Sequence, residues 1–363
     1  MDFDALTLAD LRQRQSIKWT LYGEKVLPLW VAEADVPLAP AVQDALTEAV
    51  SRGDTGYACP TGLAPAFSGF AARRWGWEPD PSWCTPVADV MTGVVEVLRL
   101  LTAPGDGVVI CPPVYHPFFD VPDAIGRQVV PVPLVDGALD LAGIDAALAD
   151  GARAVLLSSP HNPTGRVWTS AELDALDAVV SRRKAVVLSD EVHAPMTLPE
   201  ATFTPYLAEG PREAVVLTSA SKAFNLAGLK AALIVAGSGP IRRRLRSLPL
   251  ELPYKVGHFG AIAGTAAFRE GDGWLDGFVA HLDRMRDLVQ AGLPSNVSWT
   301  RPEAGYLAWL DFHEPAPAAR LLAERDLALV EGSEFLGGSD STYARLNFGT
   351  TSEVLTEALR RLA

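Results

Sequence analysis

Near its middle the chain reads Ala214-Val215-Val216-Leu217-Thr218-Ser219-Ala220-Ser221-Lys222-Ala223-Phe224. The first five residues are apolar or β-branched without polar alternation, which is typical of a strand buried on both faces of a sheet. Similar short runs occupy residues 108–111, 154–158, 185–189 and 231–235, and segments with helical spacing separate them. Strands that alternate with helices predict an α/β fold, in which helices sandwich a mostly parallel sheet.

The pattern changes after about residue 274, where a long helical stretch leads into mixed strands and helices. We therefore predict a large domain over residues 37–275 and a smaller α+β domain over residues 276–363. We expect residues 1–36 to pack with the smaller domain, because residues 26–31 have the pattern of a strand. A length of 363 residues is sufficient for two such domains.

The composition excludes several classes of protein. The formal net charge is −13, so long-range attraction to nucleic acid or to an anionic membrane is not expected. The 3 cysteines form no CxxC pair, which favours a reducing compartment over a disulfide framework. The acidic start Met1-Asp2-Phe3-Asp4 differs from a signal peptide, and no apolar run reaches the ~18 residues of a membrane span. We expect a cytoplasmic protein.

Lys222 is the residue that most strongly suggests chemistry. A lysine directly after a buried strand is costly unless it has a partner or a chemical role, although a solvated surface lysine is the ordinary alternative. Asn162 and Asp190 follow two other predicted strands of the same sheet. Ligands of such sheets bind beyond the carboxyl ends of the strands, so these residues are expected to meet. A partly desolvated lysine with a lowered pKa is a suitable amine for a Schiff base.

Three further motifs follow or precede predicted strands. They are the turn Pro160-His161-Asn162-Pro163-Thr164-Gly165, the acidic strand end Ser189-Asp190-Glu191-Val192-His193, and Met91-Thr92-Gly93-Val94-Val95 at the start of a predicted helix over 94–101. Each motif has a structural alternative, namely a plain turn, a helix cap and an ordinary helix start. The free N–H groups of a helix start can instead bind a phosphate.

In this order along one α/β chain, the four motifs resemble those of pyridoxal-phosphate enzymes of the aspartate-aminotransferase fold, known as fold type I. Two amino-terminal segments look like those of the cystathionine β-lyases of the MalY/PatB type, which are carbon–sulfur lyases: Ser16-Ile17-Lys18-Trp19 and Leu27-Pro28-Leu29-Trp30-Val31-Ala32. The resemblance extends from about residue 12 to the end of the chain. It implies pyridoxal 5′-phosphate as cofactor, an amino acid as substrate, a homodimer and no metal.

The resemblance also implies roles for individual residues. Lys222 matches the Schiff-base lysine, and Asp190 matches the carboxylate that pairs with the pyridine nitrogen. Asn162 matches the residue that hydrogen-bonds to the phenolic oxygen and lies beside the substrate carboxylate. Tyr115 matches the aromatic residue that stacks on the ring, with a core tyrosine as the alternative. Arg345 matches the arginine that binds the substrate carboxylate, for which a bidentate guanidinium is suited, and an exposed strand arginine is the alternative.

By the same resemblance, a helix start and the residues around the lysine bind the phosphate. The implied ligands are backbone N–H groups and hydroxyls: Gly93, Val94, Val95, Ser219 and Ser221. Lys230 occupies a place where many relatives carry a cationic phosphate ligand, although a surface role is equally open. Tyr57 resembles the tyrosine that reaches the phosphate from the neighbouring subunit, which implies an active site shared by two subunits.

The implied reaction is β-elimination, in which cystathionine or a related cysteine S-conjugate yields a thiol, pyruvate and ammonia. Lys222 then acts as the general base on the Cα proton, a role that requires a pKa near neutrality. An aminotransferase uses the same lysine, aspartate and arginine and is the main alternative, while a catalytically silent binding protein is a third. Glu33-Ala34-Asp35-Val36 departs from the Asp-Met-Asp-Phe of this branch and is expected to widen the entrance. His193 either supports Asp190 or is a core histidine.

Overall fold

A computed structural model describes all 363 residues of the chain. Thirteen strands follow one another along it: β1 (Leu27–Pro28), β2 (Cys84–Val87), β3 (Gly107–Ile110), β4 (Gln128–Pro131), β5 (Ala152–Ser158), β6 (Val186–Asp190), β7 (Ala214–Thr218), β8 (Ala232–Ala236), β9 (Ser298–Trp299), β10 (Leu307–Asp311), β11 (Leu327–Ala328), β12 (Val330–Glu331) and β13 (Tyr343–Asn347). The strand predicted at 214–218 has the same bounds in the structure, and the other four strands predicted in the large sheet are displaced by one or two residues. The strand pattern at residues 26–31 is reduced to Leu27–Pro28.

Thirteen α-helices lie between and after these strands: α1 (Leu8–Leu11), α2 (Ile17–Thr20), α3 (Pro40–Ser51), α4 (Leu63–Trp75), α5 (Val90–Leu101), α6 (Pro117–Ala124), α7 (Leu141–Ala149), α8 (Ser170–Arg183), α9 (Gly239–Leu245), α10 (His258–Glu270), α11 (Asp272–Gly292), α12 (Pro317–Arg325) and α13 (Ser352–Leu362). Helix α8 begins at a capping box, in which the Thr169 hydroxyl and the Glu172 carboxylate each accept a backbone N–H of the other residue. None of the helices has the length and apolar character that crossing a membrane would require.

The large sheet has seven strands in the order β2-β8-β7-β6-β5-β3-β4. The pairs β3–β4, β3–β5, β5–β6 and β6–β7 are parallel, whereas β8 is antiparallel to both β7 and β2. Alternate residues of β7 point into two separate hydrophobic clusters: Val216 belongs to one, and Val215 and Leu217 belong to the other. Both faces of the strand are therefore covered, as its unbroken apolar sequence requires. The predicted α/β fold is confirmed.

A second, antiparallel sheet has the order β12-β13-β10-β9 and contains residues 298–347. Strand β1, near the amino terminus, pairs in parallel with β11. This pairing brings the segment that follows β1 alongside the second sheet, where Asn347 donates a backbone hydrogen bond to Leu29. We retain the domain boundaries at residues 36/37 and 275/276 as a proposal.

Candidate active site

A cavity of about 690 Å³ lies beyond the carboxyl ends of β5, β6 and β7. These three strands run in parallel, so the residues at and after their carboxyl ends share one edge of the sheet. The cavity is lined by most of the residues that the sequence singled out: Tyr115, Asn162, Asp190, His193, Ser219, Ser221, Lys222, Lys230 and Arg345. Residues that lie far apart in sequence therefore converge on one site.

Lys222 lies four residues beyond the end of β7, in the turn that follows the strand. Its Nζ donates a hydrogen bond to the carbonyl oxygen of Ala32 at 2.9 Å. Burial lowers the pKa of Lys222 to about 8, and the positive charge of Arg345 acts in the same direction, whereas Asp190 opposes the shift. A lysine with such a pKa exists partly as the neutral amine near physiological pH, as a nucleophile or general base must.

Asp190 is the last residue of β6 and is buried. Its Oδ1 accepts a hydrogen bond from the backbone N–H of Val192 at 3.1 Å, and Oδ2 has no partner in the chain. Burial raises the pKa of Asp190 to about 6, because the charged form loses its hydration. The site therefore contains a buried carboxylate with one free oxygen, and a cationic N–H group of a ligand would stabilise its ionised form.

Arg345 on β13 faces the same cavity and is buried. Its Nη1 donates to Asn162 Oδ1 at 3.0 Å, and its Nη2 donates to the carbonyl oxygen of Trp30 at 3.1 Å. The guanidinium lies 4.8 Å from the centroid of the Phe335 ring. Nε is buried without a partner, and burial lowers the pKa of Arg345 to about 10. A buried guanidinium with an unused donor is suited to bind a carboxylate.

The helix start to which the phosphate was assigned, at Gly93, Val94 and Val95, differs from the helix start in the structure. Helix α5 begins at Val90, four residues before the predicted start, so the N–H groups of these residues lie within the helix. Gly93 packs against the sheet instead, because a Cβ there would lie 2.7 Å from Leu217. The apolar residues Val90 and Met91 continue the helical pattern, and no glycine or proline directly precedes them to mark the true start.

The helix start that faces the cavity consists of Asp89, Val90 and Met91. The Asp89 carboxylate caps the helix by accepting the N–H of Thr92 at 2.7 Å, and it also accepts from Lys230 Nζ at 3.1 Å. The N–H groups of Val90 and Met91 have no partner in the chain and are available to an anion. An aspartate directly before an apolar helical run is a capping signal, and it could have located this start.

Hydroxyls complete this end of the cavity. Ser219 donates to the carbonyl oxygen of Ala231 at 2.6 Å and accepts the backbone N–H of Ser221 at 3.0 Å, so its orientation is fixed. The side chain of Ser221 lines the cavity. Lys230 also lines it but is more than half exposed, which leaves both its alternatives open.

Two aromatic residues of the prediction lie in different environments. Tyr115 lines the cavity, and burial raises its pKa. Tyr57 is 88% exposed and does not line the cavity of its own chain. His193 is buried, burial lowers its pKa to about 3, and its ring lies 6.2 Å from that of Tyr306. His193 is therefore neutral, and it lines the cavity.

Several lining residues were not assigned to the site from the sequence, although Ile17, Trp30 and Ala32 belong to the two amino-terminal segments on which the resemblance rests. The segment around β1 supplies Ile17, Tyr22, Trp30 and Ala32, and a short 3₁₀-helix at Gly332–Leu336 supplies Glu334. They act partly through backbone carbonyl groups, and their distance in sequence from Lys222 conceals the contact. Only the folded chain brings them together.

The donors and acceptors of the cavity fit pyridoxal phosphate. Lys222 offers an amine for the aldehyde, and the free Oδ2 of Asp190 suits a protonated ring nitrogen. The Nδ2 group of Asn162 has no partner in the chain and can donate to a phenolic oxygen. The N–H groups at the start of α5 suit the phosphate, and the remaining N–H groups of Arg345 Nη1 and Nη2 suit the carboxylate of an amino acid.

Comparison with known proteins finds a matching family model and relatives that are similar over nearly the whole chain. The family model for aminotransferase class I and II matches residues 80–362. A protein of Mycobacterium leprae, provisionally named a cystathionine beta-lyase, is 44% identical over 391 residues, which cover 99% of this chain and 96% of the relative. The cystathionine beta-lyase of Corynebacterium glutamicum is 35% identical over 367 residues, which cover 98% of each chain.

A solved structure agrees with these relatives. The crystal structure of cystalysin from Treponema denticola, which contains a pyridoxal 5′-phosphate cofactor, superposes with a TM-score of 0.91 at 26% identity. The match covers 100% of this chain and 98% of that one. The similarity thus spans the large sheet, the second sheet and the residues that line the cavity.

Proposed function

The chain belongs to the family of class I and II aminotransferases, and from that premise we propose that it is a pyridoxal-phosphate-dependent carbon–sulfur β-lyase. Its substrates are cystathionine or related cysteine S-conjugates, which it converts to a thiol, pyruvate and ammonia. One observation carries the chemistry: Lys222, Asp190, Asn162 and Arg345 surround a single cavity. Similarity over nearly the whole chain to cystathionine β-lyases supports the lyase outcome.

Each of these residues has a proposed task that follows from its contacts. Arg345 binds the substrate α-carboxylate, with Asn162 holding the guanidinium in place at 3.0 Å. Asp190 holds the proton on the ring nitrogen, because its free oxygen faces the cavity. The N–H groups of Val90 and Met91 with the hydroxyl of Ser221 bind the phosphate, while Ser219, whose hydroxyl donates to the Ala231 carbonyl oxygen, accepts the backbone N–H of Ser221 and holds it in position. Tyr115 covers one face of the ring.

When bound, the cofactor supplies an electron-withdrawing ring that stabilises negative charge on the substrate Cα. Lys222 Nζ holds the cofactor aldehyde in the resting enzyme and is freed when the substrate amine takes its place. The freed amine then removes the Cα proton, for which its lowered pKa is suited. The Cβ–S bond breaks with its electron pair on sulfur, and the departing thiolate takes a proton from the Lys222 ammonium to give the thiol. The remaining 2-aminoacrylate reacts with water to give pyruvate and ammonia.

We also propose that two chains share the active site. The ring of Tyr57 is exposed and does not line the cavity of its own chain. Its position after Gly56 resembles that of a tyrosine which reaches the phosphate of a neighbouring subunit. Removal of the hydroxyl in Tyr57→Phe and of the whole ring in Tyr57→Ala is therefore expected to weaken cofactor binding. A dimer of unchanged size with unchanged cofactor affinity in both variants would contradict this assignment.

An acceptor-free assay tests the proposed reaction. Purified protein with bound cofactor is mixed with cystathionine in the absence of any 2-oxo acid, and thiol and pyruvate are followed over many turnovers. A β-lyase releases both continuously, whereas an aminotransferase stops after one turnover without an acceptor. Lys222→Ala is expected to abolish release, and Lys184→Ala, which changes an exposed lysine at the end of α8, provides the matched control.

A further inference from the structure

The cavity contains one carboxylate that the proposed reaction does not use. Glu334 lies on the 3₁₀-helix Gly332–Leu336 and lines the cavity together with Lys222 and Arg345. The other two carboxylates of the lining are engaged, because Asp89 caps α5 and pairs with Lys230, and Asp190 faces the ring-nitrogen position. Glu334 has a half-exposed side chain and no hydrogen bond to the chain.

The nearest basic group does not neutralise Glu334. His116 Nδ1 lies 4.0 Å from a carboxylate oxygen of Glu334, which exceeds hydrogen-bond length. Burial lowers the pKa of His116, and the charge of Arg345 lowers it further, so the imidazole is neutral at pH 7. Partial burial raises the pKa of Glu334 itself, and the charge of Arg345 opposes this shift without forming a hydrogen bond or an ion pair with the carboxylate. A cation from outside the chain would supply a direct partner.

Apolar surface connects Glu334 to the interior of the cavity. Val330 and Trp30 line the cavity together with Glu334, and Phe335, which is fully buried outside the lining, packs with both in a small hydrophobic cluster. The Tyr22 ring meets the Trp30 ring edge-on at 6.0 Å, and both line the cavity. A substrate whose carboxylate is bound by Arg345 can therefore extend methylene groups along this wall toward the carboxylate.

We propose that Glu334 selects cysteine S-conjugates that carry a cationic amine on the group beyond sulfur. This inference rests on the proposed function and adds to it the residue that reads the distal end of the substrate. A distal ammonium would bind the free carboxylate, a neutral alkyl group would gain only the apolar wall, and a distal carboxylate would be repelled. Glu334 takes no part in breaking the carbon–sulfur bond.

Three synthetic substrates of similar length test the proposal: S-(3-aminopropyl)-L-cysteine, S-butyl-L-cysteine and S-(3-carboxypropyl)-L-cysteine. In the holoenzyme, Glu334→Gln is expected to lower kcat/KM for the aminopropyl compound roughly tenfold, the effect of one charge-assisted hydrogen bond. It is expected to leave the butyl compound within about twofold and to raise kcat/KM for the carboxypropyl compound. Glu334→Lys is expected to reverse the order of the two charged compounds.

The matched control is Glu324→Gln, which removes one exposed carboxylate on α12, outside the cavity. Equal losses for all three substrates in Glu334→Gln, or no change in their ratios, would overturn the proposal. If none of the compounds releases thiol, the proposed function fails instead. In that case the selectivity is measured from the binding constants of the three compounds, which the cofactor absorbance reports. The wild-type protein is expected to bind the amine most tightly, and this preference must disappear in Glu334→Gln.

Discussion

The amino-terminal segment contains a buried ion pair, and its contribution to the free energy of unfolding can be measured. Lys18 and Asp35 are both fully buried, and Lys18 Nζ lies 2.6 Å from Asp35 Oδ2. Asp35 Oδ1 also accepts the indole N–H of Trp19 at 3.0 Å, and Arg14 lies 3.8 Å away. Without Asp35, Lys18 retains only the carbonyl oxygen of Glu33 at 3.0 Å.

Removal of Asp35 is therefore expected to cost more stability than removal of Lys18. Asp35→Asn leaves a buried ammonium with neutral acceptors only, so we expect it to lower the free energy of unfolding by about 3–5 kcal/mol. Lys18→Met leaves a carboxylate that still has the Trp19 donor and the nearby charge of Arg14. The loss in Lys18→Met is therefore expected to be smaller, about 1–3 kcal/mol. The double variant is expected to be more stable than Asp35→Asn alone, because no unpaired charge remains buried.

Urea unfolding followed by fluorescence and circular dichroism gives the three free energies. Arg52→Met is the control, because it breaks an exposed pair with Glu48 on α3 and is expected to cost less than about 1 kcal/mol. The reasoning would be refuted by an Asp35→Asn variant as stable as the control. It would also be refuted if Lys18→Met cost more than Asp35→Asn.

Other changes test the site and the sheet. Gly93→Val is expected to lower the free energy of unfolding by about 1–3 kcal/mol in urea melts, because its side chain would meet Leu217, whereas Gly56→Ala has open space and serves as control. Val90→Pro removes one free N–H at a helix position that tolerates proline, so cofactor affinity, measured by absorbance titration, is expected to fall roughly tenfold with the helical circular dichroism retained. Cofactor uptake by the cofactor-free chain is expected to accelerate as pH rises through about 8, because the lowered pKa of Lys222 makes the neutral amine abundant above that pH. A stopped-flow midpoint near the ordinary lysine value would contradict the last expectation.

The accuracy of the sequence prediction depended on how local each signal was. The strand 214–218 was predicted correctly because five consecutive buried residues identify a central strand. The start of α5 was misplaced because Val90 and Met91 are apolar, and apolar residues fit a strand end as well as a first helical turn. Glu334 could not be identified, because a single glutamate acquires its meaning only from the cavity that the distant segment around Trp30 helps to enclose.

The amino-terminal segment around Trp30 also explains how Lys222 and Arg345 can lie in one buried site while Lys222 keeps a low pKa and Arg345 keeps a free donor. It presents backbone carbonyl groups rather than carboxylates: Ala32 O accepts from Lys222 Nζ and from the Tyr306 hydroxyl, and Trp30 O accepts from Arg345. A carbonyl dipole fixes the direction of a cationic side chain but offsets less of its desolvation than a full negative charge would. Burial therefore continues to dominate the pKa of Lys222, which stays near 8, and the guanidinium of Arg345 keeps an unpaired donor for a carboxylate. A carboxylate directly bonded to Lys222 Nζ would hold the amine in its protonated form and so remove the base that the elimination needs.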